Sequence, residues 1–303
     1  MTQAHRVRNG QIEGSFIERP EWLPREEWPF RLHEVKLDGH RLHVTDEGAG
    51  PVLLFVHAGL WSFLWRDVIV RLREHFRCVC LDFPGSGLSD ARSGYMPTLA
   101  GHSRVLEQLV DQLELRDVTL VVHDLGGPVG FAFATRRPQL VRGIVVCQSF
   151  AWAPGFGLRG MLRLMGSGGM RQFMSRTNLL MRATSMRFGV GRNWNAGARR
   201  AFLGPMRQRP RRAVMHQLMR DTNRNRPLLA STKEGLERSL SDREVLMIFG
   251  ARNDPARYFR KRWKAMYPTA REVLVRKGYH FPMTDDPDLF AQSIRAWWHE
   301  KLS

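Results

Sequence analysis

Apolar residues along the chain gather into short unbroken runs separated by amphipathic stretches. Val52-Leu53-Leu54-Phe55-Val56 has strand length and no polar interruption, the pattern of a strand buried on both faces. Similar runs recur at 78–81, 119–122, 141–147, 245–249 and 271–275. Between them lie segments with helical spacing, at 63–74, 99–113, 128–135, 256–266 and 287–302; Leu106, Leu109, Val110 and Leu113 form one stripe of the second. Ahead of the first run, residues 31–46 alternate polar and apolar around Asp38-Gly39, which predicts a hairpin. Strands alternating with helices predict a mostly parallel central sheet flanked by helices and joined by right-handed crossovers.

The alternation stops at residue 150 and resumes near 240. The stretch between is rich in Gly, Met and Arg, has helical character and contains no buried strand. The expected organisation is one α/β domain in two parts, 1–149 and 240–303, with a helical cap inserted at 150–239. A chain of 303 residues is long for one domain, but an open α/β fold with an insertion reaches that size around a continuous core.

Composition refines this picture. An apolar fraction of 43% with 25% charged residues belongs to a soluble globular protein. Arginines interrupt every stretch long enough to span a bilayer, and residues 1–30 lack the apolar centre of a secretory signal. A cytoplasmic protein is expected. Cys78, Cys80 and Cys147 all lie in strand-like runs and read as small buried hydrophobes rather than disulfide partners or metal ligands. The charge is less ordinary. Sixteen arginines face one acid, Asp221, between residues 155 and 230, within a formal net charge of +18. Such a field suits an anionic substrate, an acidic carrier or a phospholipid surface at the cap; nucleic acid is not the expected partner. The competing explanation is compositional, since the chain uses 41 arginines and 6 lysines throughout.

In open parallel sheets the reactive groups stand in loops beyond the carboxyl ends of strands. His57, Asp124, Asp254 and His280 all fall at such ends. Asp124 has the most specific setting, in His123-Asp124-Leu125-Gly126-Gly127 between a buried run and a helix. The glycines permit a sharp turn and close packing behind it, as a nucleophile elbow requires, while the serine signature G-x-S-x-G is absent from the chain. A carboxylate thus stands where a serine would. It attacks alkyl carbon to give an ester, which a base-activated water must then hydrolyse. His280 is the candidate base and Asp254 the candidate acid that orients it, completing a triad in the order nucleophile, acid, histidine. Each alone has an ordinary reading as a cap or turn residue; their joint placement at successive strand ends favours chemistry.

Four runs carry a family resemblance: LFVHAGLWSFLWR at 54–66, CLDFPGSGLSD at 80–90, TLVVHDLGGPVG at 119–130 and GYHFPMTDDP at 278–287. Together they resemble the haloalkane dehalogenase and epoxide hydrolase branch of the α/β-hydrolase fold, over most of the chain outside the cap. The resemblance implies Asp124 as nucleophile, His280 as base and Asp254 as orienting acid, with an oxyanion hole from the backbone N–H of Leu125 and of a residue near Gly59. It implies no cofactor and no metal. Two departures stand out. Dehalogenases of this branch place a tryptophan after the nucleophile to bind halide, whereas Leu125 has no donor, and their asparagine donor is replaced by Gly59. Trp61, Trp65, Trp152 and Trp194 are candidate replacements, although packing explains most of them. Epoxide hydrolases protonate the opening oxygen with cap tyrosines, and no tyrosine lies between 150 and 239. His216, the cap's one histidine, is a candidate leaving-group stabiliser.

The sequence therefore points to a hydrolase acting on a small molecule through a covalent ester on Asp124. Haloalkane dehalogenase-like chemistry leads, with epoxide or lactone/ester ring opening as the alternative. A non-catalytic binding protein with a basic cap is the reading from another class.

Overall fold

A computed structural model describes residues 15–186, 189–190, 193–252 and 257–303, together with the backbone of 7–8, 11–12 and 254–256. The hairpin expected around Asp38-Gly39 comprises β1 (His33–Leu37) and β2 (His40–Glu47), whose turn takes positive φ at both central residues. This is the tight turn whose twist matches that of the strands it joins. The apolar runs follow as β3 (Val52–His57), β4 (Arg77–Leu81), β5 (Val118–His123), β6 (Val141–Cys147), β7 (Glu244–Gly250) and β8 (Arg271–Val275). They form one eight-stranded sheet in the order β8-β7-β6-β5-β3-β4-β2-β1, in which only the pairs β1–β2 and β2–β4 are antiparallel. The sheet is that of an α/β-hydrolase fold.

The helices between strands are α1 (Arg66–Leu72), α2 (Leu99–Gln112), α3 (Gly126–Arg136), α10 (Asp254–Met266), the short α11 (Pro282–Asp285) and α12 (Pro287–Lys301). The chain runs from β3 outward to β4, then returns past β3 to lay down β5 and β6 on the other side. Right-handed crossovers that progress in opposite directions place their helices on opposite faces of a sheet. Accordingly α1 packs with α12, while α3 packs with α2 and, through Phe131 against Trp263, with α10. The reversal leaves a crevice beyond the carboxyl ends of β3 and β5, where ligands bind in open α/β sheets. Residue 63 does not begin a regular α-helix: a 3-10 turn over Ser62–Trp65 precedes α1.

Between β6 and β7 the chain forms α4 (Phe156–Met165), α5 (Gly168–Thr177), α6 (Leu179–Thr184), α7 (Ala196–Leu203), α8 (Arg209–Arg224) and α9 (Arg226–Ser239), with no strand among the described residues. The last of them, α9, packs on α3, where Gly235 lies against Thr135. Among the described residues, no helix is long and apolar enough to cross a membrane.

Candidate active site

Strand register brings the site together. His57, His123 and Cys147 are aligned neighbours at the carboxyl ends of β3, β5 and β6, so the residues that follow β5 and β6, Asp124 and Gln148, leave the sheet side by side. Both adopt left-handed backbone, with φ of 47° and 46°. That conformation is costly for a residue with a side chain and persists only where its surroundings enforce it. Around Asp124 they do. Its carbonyl accepts from the Gly127 N–H at 3.1 Å and from the Ser149 hydroxyl at 2.7 Å, and the Ser149 carbonyl is in turn held by the Trp263 indole N–H at 2.8 Å. Behind the turn, a Cβ on Gly126 would lie 2.1 Å from the Val56 carbonyl oxygen. Only glycine admits this approach of helix to strand.

Asp124 Oδ2 faces His280 Nε2 at 3.9 Å, with both side chains partly exposed. The distance exceeds a direct hydrogen bond and suits an ion pair or two groups that share a water. Burial pushes the Asp124 carboxyl up, but His280, assisted by His123 and the Leu125 backbone N–H, outweighs it and holds the carboxyl below the usual range. Asp124 is therefore ionised at neutral pH.

His280 rests on two buried imidazoles. Its carbonyl contacts His123 Nε2 at 2.7 Å, its ring lies 4.9 Å from that of His123, and His57 stacks on His123 at 5.0 Å. Burial, with the charge of His280 as a further cause, pushes His57 down to about 3 and His123 well below the ordinary histidine value. Both are neutral. The loop bearing His280 is tied down by the Tyr279 N–H to Asp285 at 2.6 Å and by the Gln148 amide donating to the Tyr279 carbonyl, also at 2.6 Å. The Gln148 Oε1 is buried with no partner among the described residues.

Asp124 and His280 open into a pocket of about 840 Å³ whose walls include Phe150, Phe156, Met161, Tyr258 and Phe259. Leu125 is buried beside Asp124. Gly59, in the loop after β3, has a φ of 90° and is covered by Met215 of α8. Asp254 begins α10 beyond β7, and its side chain lies outside the described residues. Among the described residues, no cluster of His, Cys, Asp or Glu is arranged to hold a metal ion.

The three leaving-group candidates are each held by contacts of their own. Trp61 is 1% exposed, packs against both Trp28 and Phe63, and donates its N–H to the Phe202 carbonyl at 3.1 Å. Its donor is spent on joining the loop after β3 to α7. Trp152 stands behind the pocket wall against Phe259 and Trp263, with the Arg262 guanidinium 4.3 Å over its ring. His216 is buried, and its Nδ1 meets the Met165 carbonyl at 3.0 Å, which ties α8 to α4. None of the three lines the pocket. Sequence reasoning does not single out Gln148, which is not a titratable residue, or Tyr258, which lies on α10 outside the segment 150–239. The signal for Gln148 was its place directly after the run 141–147.

Comparison with known proteins accords with this architecture. Residues 53–293 match the family described as the Alpha/beta hydrolase family. The chain is 30% identical over 271 residues to haloalkane dehalogenase 2 of Mycobacterium tuberculosis, spanning 88% of this chain and 94% of that protein. It is 25% identical over 278 residues to a cis-3-alkyl-4-alkyloxetan-2-one decarboxylase of Xanthomonas campestris pv. campestris, spanning 86% and 92%. Among solved structures, haloalkane dehalogenase DbeA from Bradyrhizobium elkani is similar in fold, with a TM-score of 0.76 at 20% identity over 89% of this chain and 97% of that one.

Proposed function

Because this chain belongs to the Alpha/beta hydrolase family, in its haloalkane dehalogenase branch, and is a hydrolase, we propose that it cleaves a carbon–halogen bond through an ester on Asp124. The observation that carries this reading is Asp124 itself: an ionised carboxylate at a left-handed turn, 3.9 Å from His280, at the base of a largely apolar pocket.

In this mechanism an Asp124 oxygen attacks the substrate's alkyl carbon; the C–O ester bond forms as the C–X bond breaks and X leaves with the electron pair. His280 then takes a proton from water, and the resulting hydroxide adds to the carbonyl carbon of the ester. The developing oxyanion meets the backbone N–H of Leu125 and of the Gly59 loop. Collapse expels the alkoxide, which takes the proton from His280 to become the alcohol; the Asp124 carboxyl left behind gives its remaining proton to water and returns to the carboxylate. Asp254, at the end of the strand paired with β8, is the orienting acid. The segment 150–239 acts as the cap, with α4 supplying Phe156 and Met161 to the pocket. Three unpaired buried cysteines suit the reducing cytoplasm.

One observation favours a second reading. The Tyr258 side chain lines the same pocket, and Leu125 offers no side-chain donor to a halide. A phenol is a suitable acid for a departing oxygen, so opening of an epoxide or lactone ring, with Tyr258 as donor, is the alternative chemistry. Both readings share the covalent step, and one experiment separates them. His280→Gln protein is incubated with haloalkanes, epoxides and lactones, and the Asp124 peptide is weighed while free halide is assayed. An adduct with halide release is the expected result. Adducts only from oxygen rings favour the alternative, and no adduct from any of these compounds refutes attack by Asp124.

A further inference from the structure

Large apolar side chains exposed on this protein are concentrated in one place. Of the ten found among the described residues, six (Phe156, Met161, Leu164, Phe173, Leu179 and Met186) lie between 156 and 186, on α4, α5, α6 and the turn after them. These helices are thinly packed: α4 buries only Leu162 and α5 buries no residue. Exposure is extreme at Phe156, at 93%. An apolar ring held in water at the tip of a helix contributes nothing to folding and marks a surface that meets something else.

The charge on the same helices is of one sign. Arg159, Arg163, Arg171, Arg176 and Arg182 are all exposed, and none forms an ion pair among the described residues. Elsewhere on the surface several arginines are matched, as in Arg71 with Asp288, Arg136 with Glu107 and Arg137 with Asp111. No partner is available locally, since residues 125–220 contain no Asp or Glu. The excess is also gathered: Arg159, Arg163, Arg220 and Arg224 line a cleft of about 700 Å³ with Phe156, and Arg176, Arg182, Arg200, Arg207 and Arg212 line a recess of about 400 Å³. A compositional preference for arginine over lysine explains which cation is used but not the missing carboxylates.

We infer that α4, α5 and α6 form a docking surface for a membrane whose lipids carry anionic headgroups. Protruding apolar side chains enter the acyl boundary while the arginine stems lie along it and keep their guanidinium groups at the phosphates. The pairing of the two features selects the occupant. Nucleic acid would satisfy the arginines but has no place for Met161, Leu164, Leu179 and Met186, which do not stack on bases. An acidic protein would need a surface shaped to each of these knobs, whereas a bilayer accepts them in any arrangement. The inference does not depend on the chemistry assigned to Asp124. Because Phe156 lines both the arginine cleft and the Asp124 pocket, docking would bring the pocket mouth to the lipid.

The test uses the whole protein with no substrate present. It is sedimented with vesicles of phosphatidylcholine alone and with vesicles containing one-third phosphatidylglycerol. Binding to the second and not the first is expected, weakening as salt rises from about 0.1 to 1 M and the screening length contracts from roughly 10 to 3 Å. Replacing Arg163 and Arg171 together by Gln should weaken it about 25-fold, at roughly fivefold per arginine. Phe173→Asp should weaken it at least about tenfold by removing an inserted ring, with Leu164→Asp as a second probe should the first disturb the circular dichroism spectrum. Neither side chain touches the Asp124 pocket, so turnover of a water-soluble substrate should hold in both. No sedimentation with the anionic vesicles overturns the proposal. So does binding that the aspartate variants leave intact and an oligonucleotide competes away, which would mark a general polyanion surface.

Discussion

Replacing Trp61 by Phe separates a structural tryptophan from one that serves the leaving group. The indole is 1% exposed and its N–H reaches the Phe202 carbonyl at 3.1 Å. Trp61→Phe removes that donor and leaves a buried carbonyl unsatisfied, at about 1–3 kcal/mol. The smaller ring withdraws a few carbons from a stack with Trp28 and Phe63 whose centroids lie 5.7 and 5.0 Å from it, at roughly 1–2 kcal/mol more. A total of about 2–5 kcal/mol lowers the melting temperature by roughly 3–8 °C in a protein of this size. Because the N–H is bonded to α7 and Trp61 does not line the pocket, the rate of adduct formation, measured well below the transition, should change by less than about threefold. A donor to the leaving group would behave in the opposite way, losing on the order of 10²–10³ in rate. Thermal melts by circular dichroism and single-turnover mass spectrometry read the two quantities independently. A hundredfold loss of rate with a melting temperature within about 2 °C of the wild type would refute the assignment.

Three further outcomes follow from the geometry. Asp124 is held below the usual carboxylate range by His280 against the upward push of burial, so in the wild type ester formation should persist as pH falls to the ordinary aspartate range; in His280→Gln burial dominates, the carboxyl rises, and the acid limb of adduct formation should move to higher pH, an identical limb in both proteins contradicting this. Asp82 is fully buried and accepts from the Ser62 and Leu88 N–H groups at 2.7 and 2.9 Å, with His43 Nδ1 at 2.9 Å; Asp82→Ala strands all three and should cost about 3–5 kcal/mol in urea unfolding, a cost under about 1 kcal/mol ruling out its bracing role. Tyr258→Phe should slow ring opening of epoxides or lactones about 100-fold more than displacement of halide, and equal slowing of both in competition assays would show that its hydroxyl donates to neither.

The sheet was legible because its strands are buried on both faces and the sequence shows them as unbroken apolar runs. Asp124 and His280 were legible because a polar residue at the end of such a run, with glycines behind it or a Gly-x-His turn before it, has few competing explanations. What could not be read was the fate of each hydrogen-bond donor. Trp61 and His216 have the chemistry of a leaving-group donor, but contacts with Phe202 and Met165, 141 and 51 residues away in sequence, have already claimed it. Gln148 illustrates the converse: no titration marks it, and its significance comes from a register between β5 and β6 that appears only once the strands are paired. Tyr258 was missed because the pocket draws on α10 as well as on the helical segment, a closeness that arises in three dimensions alone.

The row of imidazoles behind His280 has a consequence for turnover. In the proposed mechanism the proton that His280 takes from water leaves on the alcohol, while the second proton stays on the Asp124 carboxyl; His57 and His123 resist protonation and offer it no inward relay, so it would leave by way of the pocket. Proton departure and product departure would then share the pocket. Whatever crowds it, a viscous solvent or a tethered lid, would slow recovery of the Asp124 carboxylate as well as the escape of product.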